Sequence, residues 1–383
     1  MIDVAATKQI LADDHLIESM VNVWQVLNPG RKHPANPLIV ADRPWEGRVV
    51  YVYGTALHDP SAQGKGRFRI WYVGHMDHWG GKDRPGPLFA HSEDGICWEK
   101  PNLGVVNLNG HAKNNALWAN NRGGWHQIMG FAYDPDDPDP ARRYKALAFL
   151  GADEPESERP GYGAYFSPDG ISWHPHENNP VFKYDHISVC EVGMAIYNEQ
   201  SACPRKDHPL DRFRYYGSVK YSSFLCTPVN DRSFGYMRRA AGIMTSNDFI
   251  QWSPNHLVLQ PDEIDDFLCR QRVMQASSVL RRNRPEEHRA EFYGLGLMPY
   301  GDVLLGFLWV FNASGSIEET GGNQDGPIHV QLTGTRDLRS WKRLGQRMPL
   351  LSPGAPGEWD CGNLYTCNRP IIVGDEIWLY YGG

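Results

Sequence analysis

The sequence lacks any apolar run near the roughly 18 residues that a membrane-spanning helix requires. Its start, Met1-Ile2-Asp3-Val4-Ala5-Ala6-Thr7-Lys8, lacks the basic-then-apolar order of a secretory signal. The seven cysteines are scattered and form no CxxC pair, which speaks against a disulfide framework and a zinc site alike. A reducing cytoplasm is the simplest setting for them, and nothing in the chain calls for a metal or a cofactor. With a net charge of −7 there is no general attraction to nucleic acid or to an anionic membrane. Helical periodicity is scarce too. Only residues 10–23, with Asp13 and Asp14 ahead of Leu16, Ile17, Met20 and Val21, suggest a short helix.

What is abundant is turn and strand material: 39 Gly, 28 Pro and 12% aromatic residues. One turn recurs four times. Ser92-Glu93-Asp94-Gly95-Ile96-Cys97-Trp98 returns as Ser167-Pro168-Asp169-Gly170-Ile171-Ser172-Trp173 and as Ser246-Asn247-Asp248-Phe249-Ile250-Gln251-Trp252. The fourth copy is Thr335-Arg336-Asp337-Leu338-Arg339-Ser340-Trp341. Asp bonds its own downstream backbone and starts a turn, Gly tolerates positive φ, and Trp anchors the next strand. Copies about 75 to 90 residues apart, each carrying several short strands, predict propeller blades.

Hairpins precede the turns: Val49–Leu57 with Phe68–Gly74, Met129–Tyr133 with Tyr144–Leu150, Val192–Tyr197 with Phe213–Val219, and Phe292–Met298 with Val303–Val310. A last pair, Leu364–Val373 with Ile377–Tyr381, has no turn after it. The expected fold is all-β, a single five-bladed β-propeller of four-stranded antiparallel blades covering residues 1–383. The run Trp24…Asn36-Pro37 echoes Trp173…Asn179-Pro180, so residues 1–40 are expected to supply outer strand structure to the last blade.

The aromatic doublets Trp71-Tyr72, Tyr215-Tyr216 and Tyr380-Tyr381, with the Ser-x-Asp-Gly-x-x-Trp turns, resemble the five-bladed glycoside hydrolase superfamily (families 32, 43, 68 and 130). Three stretches look most like uncharacterised bacterial family-32-like hydrolases. They are Asn36-Pro37-Leu38 with Pro44-Trp45-Glu46, Asp134-Pro135-Asp136-Asp137-Pro138 with Arg142-Arg143-Tyr144-Lys145, and Gly354-Ala355-Pro356-Gly357-Glu358-Trp359-Asp360. The resemblance implies cleavage of a glycosidic bond by a pair of carboxylates in the central cavity, on a carbohydrate substrate. The Asn-Asp-Pro-Asn, Arg-Asp-Pro and Glu-Cys motifs of invertases are not present intact, so no particular sugar carries over.

A propeller's site forms where innermost strands begin, so acids at strand starts are the catalytic candidates. Glu46 precedes the first inner strand, Glu191 opens the third and Asp360 opens the last. Asp265 and Asp266 lie in an acidic run that reads more simply as a solvated face. Trp45, Trp125, His126 and Trp359 could stack on or bond a sugar, and Arg270 and Arg272 could hold an anionic group. Each also has a plainer reading as a loop acid or a blade-packing aromatic. The acids around Asp134, alternating with prolines, and the four repeat aspartates read as turn formers. A hydrolase is the leading expectation, followed by a phosphorylase of the same fold and a non-catalytic sugar-binding propeller.

Overall fold

A computed structural model of the chain describes residues 9–74, 84–120, 127–150, 161–183, 192–223, 238–317 and 323–383. The four tryptophan turns are built alike. Asp94 Oδ1 accepts from the N–H groups of Ile96 (2.8 Å) and Cys97 (2.7 Å). Asp169, Asp248 and Asp337 make the same two bonds at the same lengths. The backbone bonds from Cys97 and Ile96 hold the Asp94 carboxyl down to about 2. Three of the indoles donate back to their own turn, at Gly95, Gly170 and Phe249. The residue after each Asp takes left-handed backbone: Gly95, Gly170, Phe249 and Leu338, with φ of 75°, 77°, 67° and 66°. Gly170 has no room for more, because a Cβ there would approach the Trp71 ring to 2.7 Å. Phe249 is a bulky residue in a costly conformation, offset by complete burial between the second and third blades.

Four large antiparallel sheets carry these turns. The first pairs Val50–Tyr51 and Ala56–His58 with Phe68–Gly74, then Leu88–Ser92 and Trp98–Glu99. The second runs Gln127–Tyr133, Tyr144–Leu150, Gly161–Ser167, His174–Pro175, with Phe182–Lys183 beside the third strand. The third is Gly193–Tyr197, Tyr215–Ser223, Arg238–Ser246 and His256–Leu259. The fourth is Arg289–Tyr300, Val303–Ala313, Ile328–Thr335 and Lys342–Arg343, with Pro349–Leu351. The first four hairpins read from the sequence are therefore the inner pairs of blades. The last hairpin differs. It splits into two short ladders, Tyr365–Thr366 with Tyr381–Gly382 and Ile371–Val373 with Glu376–Trp378, and no third strand joins it among the described residues. The arrangement is a propeller of four full blades plus this hairpin, rather than the expected five four-stranded blades.

One residue ties the blades together. Asn368, almost wholly buried, donates from its side chain to Phe131 O (2.8 Å) of the second blade and Ala195 O (2.6 Å) of the third. Its N–H donates to Gly54 O of the first blade (2.8 Å), and its carbonyl accepts from Leu297 N–H of the fourth (2.8 Å). The inner strands must come close for this. A Cβ on Gly130 would lie 2.7 Å from Ala195 N, so glycine is required there.

Two sequence expectations are corrected. Residues 9–40 contain one 3-10 turn, Asp14–Leu16, and neither the helix over 10–23 nor an outer strand. Pro29, Pro34 and Pro37 remove backbone donors that a strand or helix would use. The segment lies instead as a strap held by side chains: Asp13 to Arg336 (3.0 Å), Lys32 to Asp360 (2.6 Å), Asn36 to Tyr381 (3.4 Å). The sequence echo survives in one detail, since Asn36-Pro37 and Asn179-Pro180 are both cis. Second, the acidic run Asp262-Glu263-Ile264-Asp265-Asp266, read as a solvated face, opens a 13-residue helix, Glu263–Gln275. Asp262 and Asp265 close a capping box at its start. Asp265 is buried against Arg343 (2.9 Å), so the run is an anchored helix start and not a solvated face.

Asn368→Ala removes both side-chain bonds to the ring's centre and should lower unfolding free energy by about 2–4 kcal/mol. Denaturant midpoints check this; a loss no larger than that of an exposed surface substitution would remove the residue's central role.

Candidate active site

At the end of the axis where inner strands begin, the fourth blade presents Arg289, Glu291 and Tyr293 in alternation along one strand. Glu291 is fully buried. Its Oε1 accepts from Arg289 Nε (2.7 Å), and its Oε2 accepts from Arg239 of the third blade. Burial pushes the carboxyl up, but the Arg239 and Arg289 guanidinium groups outweigh it and hold the pKa below the usual range. Glu291 is ionised. Lys220 Nζ lies 5.4 Å and the Arg239 guanidinium 5.6 Å from the centre of the Tyr293 ring. Arg238 pairs with Asp266 (3.0 Å), whose carboxylate also accepts from Ala290 N–H.

Beneath these cations is an aromatic floor. Tyr293 meets Tyr365 at 5.9 Å, Tyr365 meets Tyr53 at 5.0 Å, and Tyr53 stacks on Trp309 at 5.7 Å and 4°. Burial, then neighbouring phenols, push the Tyr53 and Tyr365 hydroxyls well above their ordinary values, so both stay protonated donors. Val192, at the start of the third blade, has φ of 72°. A β-branched residue in that region is strained, and such strain clusters at functional sites.

The sequence candidates fall into three groups. Glu191, Trp125 and His126 lie outside the described residues. Glu46 is fully buried in a 3-10 turn, and its carboxylate accepts from Asp42 N–H, Arg43 N–H, the Tyr72 hydroxyl (2.7 Å) and Lys100 (2.7 Å). Trp45 is buried beside it and donates to Asn115 (2.8 Å). Asp360 is buried against Lys32 (2.6 Å) and the Tyr381 hydroxyl (2.9 Å), and the exposed Trp359 stacks on Tyr381 at 5.4 Å. A cavity of about 1030 Å³ lies between the first blade, the fourth blade and the last hairpin, lined by Tyr72, Tyr381 and Trp359. Neither Glu46 nor Asp360 is among its walls; each sits behind the tyrosine it bonds. In this geometry both acids anchor chain segments.

Arg270 is exposed on the helix, and Arg272 donates to Arg347 O (3.2 Å). Neither joins the Glu291 group, whose helical member is Asp266. Asp134 is as structural as its sequence suggests, bound by Arg214 at 2.7 and 2.8 Å and by the Tyr215 hydroxyl. Sequence reasoning missed Glu291 because it lies inside a strand rather than before one. The available signal was Arg289-x-Glu291-x-Tyr293, charged residues alternating where a strand should bury apolar ones.

No family model and no curated protein matches the sequence. Solved structures match it in fold. An N-acetylgalactosamine deacetylase from F. plautii, in complex with blood group B trisaccharide, aligns with a TM-score of 0.54 at 13% identity, covering 94% of this chain and 84% of that one. A glycosyl hydrolase from Bacteroides ovatus gives 0.52 at 11%, covering 94% and 91%. A protein described with the GH130 family of mannoside phosphorylases, which contains hydrolases that target β-1,2 mannosidic linkages in Candida mannan, gives 0.51 at 14%, covering 95% and 92%. The chain thus shares the propeller fold of glycoside hydrolase-type proteins.

Glu291→Gln leaves two arginines facing a neutral amide and should cost about 3 kcal/mol at neutral pH. Because the folded pKa is depressed, the ionised group's contribution is present above the ordinary glutamate value, about 4.3, and is lost as pH falls through the lower one. Denaturant midpoints between pH 7 and strong acid should therefore fall more steeply for the native protein than for the variant. Parallel curves would remove the ion-pair assignment.

Proposed function

We propose that this protein cleaves a glycosidic bond of an oligosaccharide or glycoside at the mouth of the propeller, with Glu191 as the general acid. The observation that carries the reading is convergence. Lys220, Arg239, Arg289 and Glu291 meet a floor of Tyr53, Tyr293 and Tyr365, contributed by three different parts of the ring, at the end where inner strands begin. Phenols and guanidinium groups suit sugar hydroxyls, and flat rings suit sugar C–H faces. The strained backbone of Val192 directly follows Glu191 and supports a functional role for that strand start.

In hydrolysis Glu191 gives its proton to the departing oxygen and water adds at the sugar carbon; the proton that the water loses passes to solvent and Glu191 is reprotonated, while Glu291, held by Arg239 and Arg289, acts only through its charge. Glu46 and Asp360 take no proton-transfer role here, since both Glu46 oxygens are bound and Lys32 and Tyr381 hold Asp360 Oδ2. A phosphorolytic reading is favoured by one specific feature, the cluster of Lys220, Arg239 and Arg289. With inorganic phosphate as the attacking group those cations would balance its charge. We also read the last hairpin as a fifth blade whose outer side is faced by residues 30–40. Sugar turnover inside a cell is the setting consistent with the cysteine content.

A glycoside panel assayed with and without phosphate separates hydrolysis from phosphorolysis, and turnover of nothing on the panel would overturn both. Glu191→Gln should slow substrates with poor leaving groups by about 10²–10⁴-fold and spare activated ones. Equal loss on both kinds of substrate would reject Glu191 as the acid.

A further inference from the structure

The opposite end of the axis holds a second cavity, of about 460 Å³. It is formed where inner strands end, by Thr55–His58 of the first blade, Phe131–Tyr133 of the second, Ile196–Tyr197 of the third and Arg369–Ile372 of the last hairpin. The bonds from Asn368 to Gly54, Phe131 and Ala195 cross the axis just above it, so it does not belong to the candidate active site.

Its walls are of two kinds. Tyr133 and Trp173 are partly exposed flat rings, and Trp173 is held edge-on to Phe131 at 5.5 Å. Between blades, Arg369 donates to Tyr197 O (3.1 Å) and to Glu199 Oε1 (2.5 Å). These two bonds use two of the five guanidinium N–H donors. Glu199 remains about half exposed, at 47%. The pair cancels in charge, so the cavity favours an uncharged ligand with many hydroxyls over an anion. Adjacent sugar hydroxyls fit a side-by-side donor and acceptor, and pyranose C–H faces fit the two rings. The volume is within the usual range of about 300–1,000 Å³ for small-molecule sites.

We infer that this cavity is a second, non-catalytic carbohydrate-binding site, which takes a neutral mono- or disaccharide unit between Tyr133 and Trp173 with its hydroxyls on Arg369 and Glu199. The assignment rests on these walls and not on the chemistry proposed at the mouth.

The test is saturation-transfer NMR and calorimetric titration of the whole protein with maltose, cellobiose and β-1,2-mannobiose. Glu199→Ala, a surface change, and Tyr133→Ala should each weaken binding of at least one of these sugars by about tenfold or more. Turnover at the mouth should keep its rate in both variants, and thermal unfolding confirms that each is folded. Sugar binding unchanged by both variants, or absent for all three sugars, would overturn the second site. Binding lost in these variants with no turnover on any glycoside would instead overturn the proposed activity and leave this site standing.

Discussion

Four hydrogen bonds from one buried asparagine decide how the ring is assembled. Asn368 lies on the last hairpin, yet its four bonds reach four different blades, at Gly54, Phe131, Ala195 and Leu297. Inner strands of a propeller leave carbonyls at the axis that no neighbouring strand can satisfy, and buried backbone groups left unpaired are costly. An amide side chain with two donors, in the bend between Tyr365–Thr366 and Ile371–Val373 that arrives last in the sequence, meets that need. The inner strands yield to it. The second and fourth blades carry register shifts, at Ile128/Gly130 and Phe292/Gly294, and the first is interrupted between Tyr51 and Ala56. The same plug separates the axis into two ends with different chemistry: cations over tyrosines at one, a neutral aromatic pocket at the other.

The architecture was legible because its signals are local. A hydroxyl, an Asp two places on and a Trp four places later make a turn that satisfies itself, whatever lies around it. Alternating strands flanked by such turns then give inner pairs of the right length. What was not legible was long-range. Nothing near Pro29 or Pro37 tells that the strap will be held by Arg336 or Tyr381, more than 300 residues away. The helix Glu263–Gln275 escaped notice because its apolar residues make no clean stripe: Ile264, Phe267 and Met274 are exposed while Cys269 and Val273 are buried.

The candidate acids show the same division. Glu46 and Asp360 each sit next to a tryptophan at a strand start, as a sugar-cleaving carboxylate would. Position along the chain could not show that Lys100 and Lys32 fill those carboxylates from elsewhere. Glu291 was hidden for the opposite reason. It occupies a strand interior, where an acid is expensive, and only the partners on two strands explain why it is tolerated.

The strap of residues 9–40 is fastened to the fourth blade, the last hairpin and the first blade by side chains: Asp13 to Arg336, Lys32 to Asp360, Lys100 to Val40 O. The ladders lie within each blade, and neighbouring blades meet over apolar faces, those of the first blade, the fourth blade and the last hairpin included. Ion pairs at a partly exposed edge weaken with ionic strength, whereas buried ladders do not. The strap is therefore the preferred place of local opening, and its amides should exchange with solvent through excursions that leave the four full blades intact. In mechanical terms the molecule is a clasp, with a hinge region of high local stability and one fastening of low stability.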